Sequence, residues 1–412
     1  MQHFITRINI EKLRHLANID IPLSSDRKQH LLITGKNGSG KTTLLLAIEK
    51  YLTAINDGKL MMLQTSYKRW VREAEQRLAR ANSEQEKFDA QKNQEKNQAL
   101  LSKYKNGIEL EFANVNELDS LYAKGSFITA FFPASRKTAI ERPSGVVDVK
   151  LKDFYGINQA PGNILLKYMI HLKTQQSYAR NEGDKVVVDK IQKWFDRFEN
   201  ALKALLDNDS VSLEYDYKEY NFKIKEKDRE AFRFDELSDG YSSLINIVSD
   251  LILRMDKNWL LKEELSTYDI EGIVLIDELE THLHIELQKK ILPFLIEFFP
   301  GIQFIITTHS PYILTSISNA KCYDLENRVE LDNLSLYSSD DIAEAYFNVD
   351  EYSIEIKNKI ERYRYLLEKE DLSEEERSER AELRLELKNN SAYMAKELKQ
   401  IIYEVESSRK VQ

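Results

Sequence analysis

The stretch Gly35-Lys36-Asn37-Gly38-Ser39-Gly40-Lys41-Thr42 constrains this chain more than any other. It fits G-x-x-x-x-G-K-[ST], a loop whose glycines let the backbone wrap until its N–H groups face phosphate oxygens. Gly35, Asn37, Gly38, Ser39 and Gly40 form the wrap, Lys41 reaches the β- and γ-phosphates, and the Thr42 hydroxyl can ligate Mg²⁺. Leu31-Leu32-Ile33-Thr34 before the loop reads as a short buried strand. Thr43-Leu44-Leu45-Leu46-Ala47-Ile48 after it starts a helix whose positive end favours an anion, with Thr43 a further candidate contact. Strand, loop and helix together predict an α/β P-loop fold.

The 412 residues are enough for two or three domains' worth of core, and 42% hydrophobic with 31% charged residues suits a soluble globular chain with charge-rich helices. No apolar run is long enough to span a bilayer and no charged-then-apolar leader opens the chain, so a cytoplasmic protein without membrane contact is expected. Cys322 is the sole cysteine, which excludes an intrachain disulfide framework and a cysteine-based zinc site. A net charge of −9 excludes a uniformly basic nucleic-acid coat but leaves room for a local basic patch.

Six segments follow from the pattern. Residues 1–58 hold two short strands, 4–10 and 19–22, and the loop with its helix. Residues 59–106 read as an antiparallel helical hairpin with its tip at Asn82-Ser83, where Ser83 and Glu86 make a capping box. Each arm of about 20 residues would project roughly 30 Å. The first arm is basic (Lys68, Arg69, Arg72, Arg77, Arg80), which suits either a nucleic-acid or partner contact or a solvated face. Residues 107–150 carry strands 108–112 and 127–132, with Pro133-Ala134-Ser135-Arg136-Lys137 as a loop. Residues 151–206 form a helical lobe in which Trp194, Phe195, Phe198, Leu202 and Leu205 trace a core face. Residues 207–330 hold a β-hairpin, a helix over 241–255, buried strands 273–276 and 303–307 with a helix between them, and a late hairpin at 322–331. Residues 331–412 end in a charged helical tail with a break near Leu372 before a second capping box, Ser373 with Glu376. The tail is either a clasp on its own domain or a docking and oligomerisation element.

Three further features carry chemistry. Ile273-Val274-Leu275-Ile276-Asp277-Glu278 is an apolar strand ending in two acids: Asp277 would hold Mg²⁺, and Glu278 could polarise water as a general base. Phe304-Ile305-Ile306-Thr307-Thr308-His309 is a second such strand, and His309 at its end can donate a hydrogen bond to a γ-phosphate. Leu237-Ser238-Asp239-Gly240-Tyr241 opens a helix where Ser238 and the following N–H groups make an anion site.

That order resembles the ABC-type ATPase heads, including the RecF and SMC-like branches, over roughly residues 1–325. The resemblance implies a homodimer in which two heads sandwich two ATP molecules, with Ser238 and Gly240 acting on the partner's nucleotide and 279–284 facing the partner head. It also makes Arg14, in Lys12-Leu13-Arg14, a candidate nucleotide contact. Asp239 and Tyr241 depart from the transporter signature, and Glu278-Leu279-Glu280 departs from the transporters' Glu-Pro. Asp277-Glu278-Leu279-Glu280-Thr281-His282-Leu283-His284 with Thr308-His309-Ser310-Pro311 is similar instead to the OLD-like soluble ATPases. Many of those serve anti-phage systems such as Septu, PARIS and retron modules, often beside a nuclease.

No TOPRIM-like acidic domain follows His309, and His3, His15, His30, His171, His282, His284 and His309 form no HNH-like cluster, so any nuclease is expected on a separate chain. The resemblance thus implies an ATP-hydrolysing dimeric switch that regulates a separate effector nuclease in anti-phage defence. A RecF- or SMC-like repair ATPase acting directly on DNA, and an ATP-bound scaffold that does not hydrolyse, are the alternatives.

Overall fold

A computed structural model describes residues 2–389 except 81–82, 137–139, 142, 262–269, 332–333, 340, 343–353 and 370. The expected hairpin tip at Asn82, Lys137 in its loop, and the tail beyond 389 lie outside those residues. The chain divides into two compact units, residues 1–339 and 340–412.

In the first unit β1 (Ile5–Leu13) and β2 (Leu16–Pro22) form a tight antiparallel hairpin, longer than expected because Leu13 pairs with Leu16 around a turn at Arg14. Arg14 takes φ 54°, the left-handed conformation such a turn demands. Ile8 and Ile10 are buried while Arg7 and Asn9 face outward, the period of a half-buried strand. β3 (His30–Thr34) is buried throughout and leads into the glycine loop and α1 (Lys41–Asn56).

The segment after α1 comprises α2 (Leu60–Thr65), α3 (Tyr67–Arg80) and α4 (Glu84–Lys105). Ser83 and Glu86 form the expected capping box. Arg69, Arg72, Arg77 and Arg80 are exposed. The root is tied down. Leu60, Leu63, Tyr67 and Tyr104 enter the main core, and Asp57, the C-cap of α1, accepts hydrogen bonds from Lys103 Nζ (2.7 Å) and Tyr104 Oη (2.8 Å). At Gly107 (φ 83°) a Cβ would lie 1.9 Å from the Lys12 carbonyl oxygen, so glycine is required where the chain turns back against β1. β4 (Ile108–Phe112) then pairs with β1, followed by α5 (Leu118–Ala123) and β5 (Phe127–Phe132).

α6 (Leu165–Glu182) and α7 (Lys185–Leu206) bury an aromatic core in which Trp194 stacks on Phe198 and meets Tyr168 edge-on. β6 (Ser212–Asp216), β7 (Asn221–Lys225) and β8 (Phe232–Arg233) form a small antiparallel sheet. α8 (Asp239–Leu261) packs against α6, α7 and β5. Its buried Arg254 pairs with Asp250 at 2.5 Å and donates to the carbonyls of Thr129, Gly156 and Gln159, fastening α8 to β5 and the loop beyond it.

β9 (Glu271–Ile276), α9 (Ile285–Phe298), β10 (Ile302–Thr307), α10 (Pro311–Leu314), β11 (Ala320–Asp324) and β12 (Val329–Leu331) complete the unit. Among the described residues the largest sheet has the order β12-β11-β3-β10-β9-β5, parallel except for β12. A sheet covered on both faces buries both sides of its strands, which explains the apolar runs Ile273–Ile276 in β9 and Phe304–Ile306 in β10. The late hairpin of β11 and β12 is present, but β11 also pairs with β3 and so reaches the glycine loop. Gln303 ties this sheet to β1: its side-chain amide accepts from the Ile5 N–H (2.8 Å) and donates to the Ile5 carbonyl (2.9 Å).

In the second unit α11 (Ile354–Glu368) and α12 (Glu374–Asn389) are broken where expected, with Ser373 and Glu376 capping the latter. Tyr363 and Leu367 pack with Ile360 and Leu383. No helix among the described residues is long and apolar enough to cross a membrane.

Candidate active site

The ends of β3, β9 and β10 lie side by side because β10 sits between the other two, and in parallel sheets the carboxyl ends of strands are where ligands bind. Gly35, Gly38 and Gly40 all take positive φ (132°, 85° and 101°). A Cβ at Gly35 would meet Ser39 Oγ at 2.9 Å and Asp324 Oδ1 at 3.2 Å, so the wrap closes only on glycine. Lys41 Nζ folds over its own loop and donates to the carbonyls of Gly35 (2.7 Å) and Lys36 (3.1 Å). Burial lowers the Lys41 pKa, against the pull of Glu278, Glu280, Asp277 and Asp324, which all favour its charge.

Thr42 Oγ1 donates to Asp277 Oδ1 at 3.2 Å, so the loop and the acid-ended strand meet at the two expected Mg²⁺ ligands. Thr307 Oγ1 donates to the same oxygen at 2.6 Å and accepts from the Glu278 N–H at 2.8 Å. Glu278 takes φ 47°, a backbone strain of about 1–3 kcal/mol that its neighbours must hold in place. The Glu280 carboxylate accepts from the His309 N–H, and burial raises its pKa. His309 has its pKa lowered, first by burial and then by the Lys41 charge, so its ring is neutral near pH 7 and able to donate from one nitrogen.

The structure thus brings Lys41, Thr42, Asp277, Glu278 and His309 together. The glycine loop from Gly35 to Gly40 lies at the same point, whereas Ser238, Gly240, Arg14 and Thr43 stand elsewhere. Ser238 and Gly240 are at the start of α8, where the Ser238 carbonyl accepts from the Ser242 N–H (2.9 Å) and a Cβ on Gly240 would lie 2.5 Å from the His282 carbonyl oxygen. Arg14 and Thr43 line an open cavity of 880 Å³ together with Lys12 and Lys50.

Several residues of the site escaped sequence reading. Thr307 was legible only as part of a strand. Glu326 Oε2 accepts from the Lys36 N–H at 3.1 Å because β11 lies beside β3. Arg136, in the segment after β5, donates to the carbonyls of Asp277 (2.7 Å) and Glu278 (2.9 Å). The available signal was Phe127–Phe132, a buried strand apolar except for Thr129, whose carboxyl end lies beside that of 273–276.

A magnesium nucleotide suits these residues. The buried Ser39 Oγ and His309 Nε2 have no hydrogen-bond partner among the described residues. The glycine cradle excludes side chains, and the Thr42 hydroxyl with the Asp277 carboxylate is a hard oxygen pair of the kind Mg²⁺ prefers.

Residues 31–315 match the family described as AAA domain, putative AbiEii toxin, Type IV TA system. The chain is similar to the Septu protein PtuA of Bacillus mycoides (strain KBAB4), 26% identical over 322 residues covering 77% of this chain and 39% of that protein. It is also similar to the Retron Vc95 probable ATPase of Vibrio cholerae serotype O1 biovar El Tor, 27% identical over 375 residues covering 75% and 72% of the two chains. This chain therefore spans well under half of the Septu relative and about three quarters of the retron one. Among solved structures, an SMC head bound to the C-terminal winged-helix domain of ScpA is 10% identical, with TM-score 0.41 over 81% of this chain and all of that one.

Proposed function

The chain belongs to the family described as AAA domain, putative AbiEii toxin, Type IV TA system, and from that premise we propose that it is an ATPase whose two copies close head to head on ATP and Mg²⁺, as the switch of an anti-phage system that regulates a separate effector nuclease. The observation that carries the reading is the junction of Thr42, Asp277 and Thr307 beside a glycine cradle, with Glu278 and His309 at the same strand ends. Bound Mg²⁺ would offset charge on the phosphates. Lys41 would leave its loop carbonyls for the β- and γ-phosphates, and the backbone N–H groups of 38–42 would hold the oxygens. Glu278 would take the proton of the attacking water, oriented by the bonds on either side of its peptide. His309 would donate to the γ-phosphate. Gly35, Asn37, Gly38, Ser39, Gly40 and Thr43 would complete the nucleotide's own-subunit contacts, with Arg14 at their margin.

The dimer is supported by Ser238 and Gly240, which open α8 where a second subunit's nucleotide could be met. The defence role is supported by the relatives named Septu protein and retron ATPase. Phosphate release by the purified chain, compared with Glu278→Gln, tests the enzyme reading: the variant should lose at least about 100-fold in kcat and keep ATP binding. Equal release from both would leave an ATP-bound scaffold. Co-purification with the neighbouring gene's product tests the partner, and a chain that never associates with a nuclease would reject that part. A second reading, direct action on DNA, is favoured by the exposed arginines of α3 and the cations around Arg14. It requires DNA-stimulated hydrolysis that weakens steeply with salt.

A further inference from the structure

Arg136 joins two parts of the site that no other side chain described above connects. Its Nε donates to Ser243 Oγ in α8 at 2.8 Å, and its two terminal nitrogens donate to the Asp277 carbonyl at 2.7 Å and the Glu278 carbonyl at 2.9 Å. Ser243 is only 3% exposed, so the first bond is enclosed. The same two segments meet again where Gly240 receives the His282 carbonyl with no room for a Cβ. The 277–283 loop is therefore fastened to the start of α8 at both of its ends.

The chemistry of the link fits its place. Burial brings the Arg136 pKa down to about 10, still well above neutral, while Glu280, Asp277 and Glu278 supply the opposing charge. A planar guanidinium reaches three acceptors in fixed directions, which an ammonium on a flexible stem cannot do. Glu278, at φ 47°, is held from both sides of its backbone: Thr307 takes its N–H and Arg136 takes its carbonyl. A displacement of the Ser238 end of α8 moves Ser243, then the guanidinium, then the Glu278 peptide.

We propose that Arg136 is a positioning residue that transmits contact between Ser238 and a second subunit's nucleotide to Glu278 of its own subunit, so that each site hydrolyses only when the dimer is closed; this rests on the ATPase-dimer reading above. The fork would make hydrolysis cooperative in ATP without taking part in binding it.

Steady-state hydrolysis across ATP concentrations tests this with the full chain, Arg136→Gln, Arg136→Lys, Ser243→Ala and the Arg136→Gln/Ser243→Ala double variant. Arg136→Gln should lower kcat about 30- to 100-fold, leave KM within about threefold and bring the Hill coefficient to about 1. Ser243→Ala should lower kcat about 3- to 10-fold, and the double variant should match Arg136→Gln because the two act through one contact. Arg136→Lys should restore less than a third of the wild-type kcat. Unchanged kcat and cooperativity in Arg136→Gln, or losses that multiply in the double variant, overturn the proposal. If Arg136→Gln does not fold, Ser243→Ala decides, since its Hill coefficient must still fall. A wild-type chain without Glu278-dependent hydrolysis would instead sink the ATPase reading itself.

Discussion

Replacing Thr307 by valine isolates one hydroxyl that serves both acids of the site. Thr307 is fully buried, and its oxygen donates to Asp277 Oδ1 at 2.6 Å while accepting the Glu278 N–H at 2.8 Å. Valine keeps the shape and removes both bonds. Leaving the Glu278 N–H unpaired costs about 1–3 kcal/mol, and losing a bond to a carboxylate costs about 1.5–3 kcal/mol. Glu278 is only part-buried, so water recovers some of the first term, and the expected loss is about 2–4 kcal/mol. Thr307→Ser is the control: it keeps the hydroxyl and removes one methyl, about 1 kcal/mol. Urea denaturation should therefore rank wild type, then serine, then valine. A valine variant at least as stable as the serine one would refute the claim that the hydroxyl, and not packing, matters here. Phosphate release should also fall roughly tenfold in the valine variant, because Glu278 loses half of its backbone support.

Further tests address the core around the site. His30 is buried with its pKa held at about 3, by burial first and then by the Lys28 charge, and its Nδ1 accepts the Phe304 N–H. Between about pH 6.5 and pH 3 the unfolded chain binds a proton there that the folded chain refuses, so stability should fall by about 1.4 kcal/mol per pH unit on acidification. His30→Asn, whose carbonyl can take the Phe304 N–H, should flatten that slope in denaturation curves at pH 4.5 and 6.5; an unaltered slope would place the titration elsewhere. Arg254→Met strands the fully buried Asp250 and should cost about 3–5 kcal/mol by urea denaturation, with Asp250→Asn in the same chain recovering part of it.

What the sequence made plain was local. Gly35–Thr42 needs its glycines for its own backbone, and Asp277, Glu278 and His309 each end an apolar run that can be recognised where it stands. What it concealed depends on which strands are neighbours. Arg136 meets Asp277 only because β5 pairs with β9, and Glu326 meets the loop only because β11 pairs with β3. Strand order in a parallel sheet leaves little mark on the strands themselves, since the central ones are buried on both faces. Gln303 is the sharpest case: within a buried strand a glutamine looks like an error until its amide is seen to pair with the backbone of Ile5, far away in sequence. Ser238 and Gly240 were legible as a helix start, yet the close seat of the His282 carbonyl on Gly240 was not.

The two-helix arm rooted on the end of α1 has a mechanical consequence. Asp57 caps the phosphate-loop helix and also grips the base of α4 through Lys103 and Tyr104. At about 1.5 Å per residue, the 22 residues of α4 give a radius of about 33 Å. A tilt of about 5° in α1 would sweep the far end of that radius through about 3 Å. The arm is thus geared to the end of α1: a motion of a few tenths of an ångström at the root becomes one as wide as a hydrogen bond is long at its outer end.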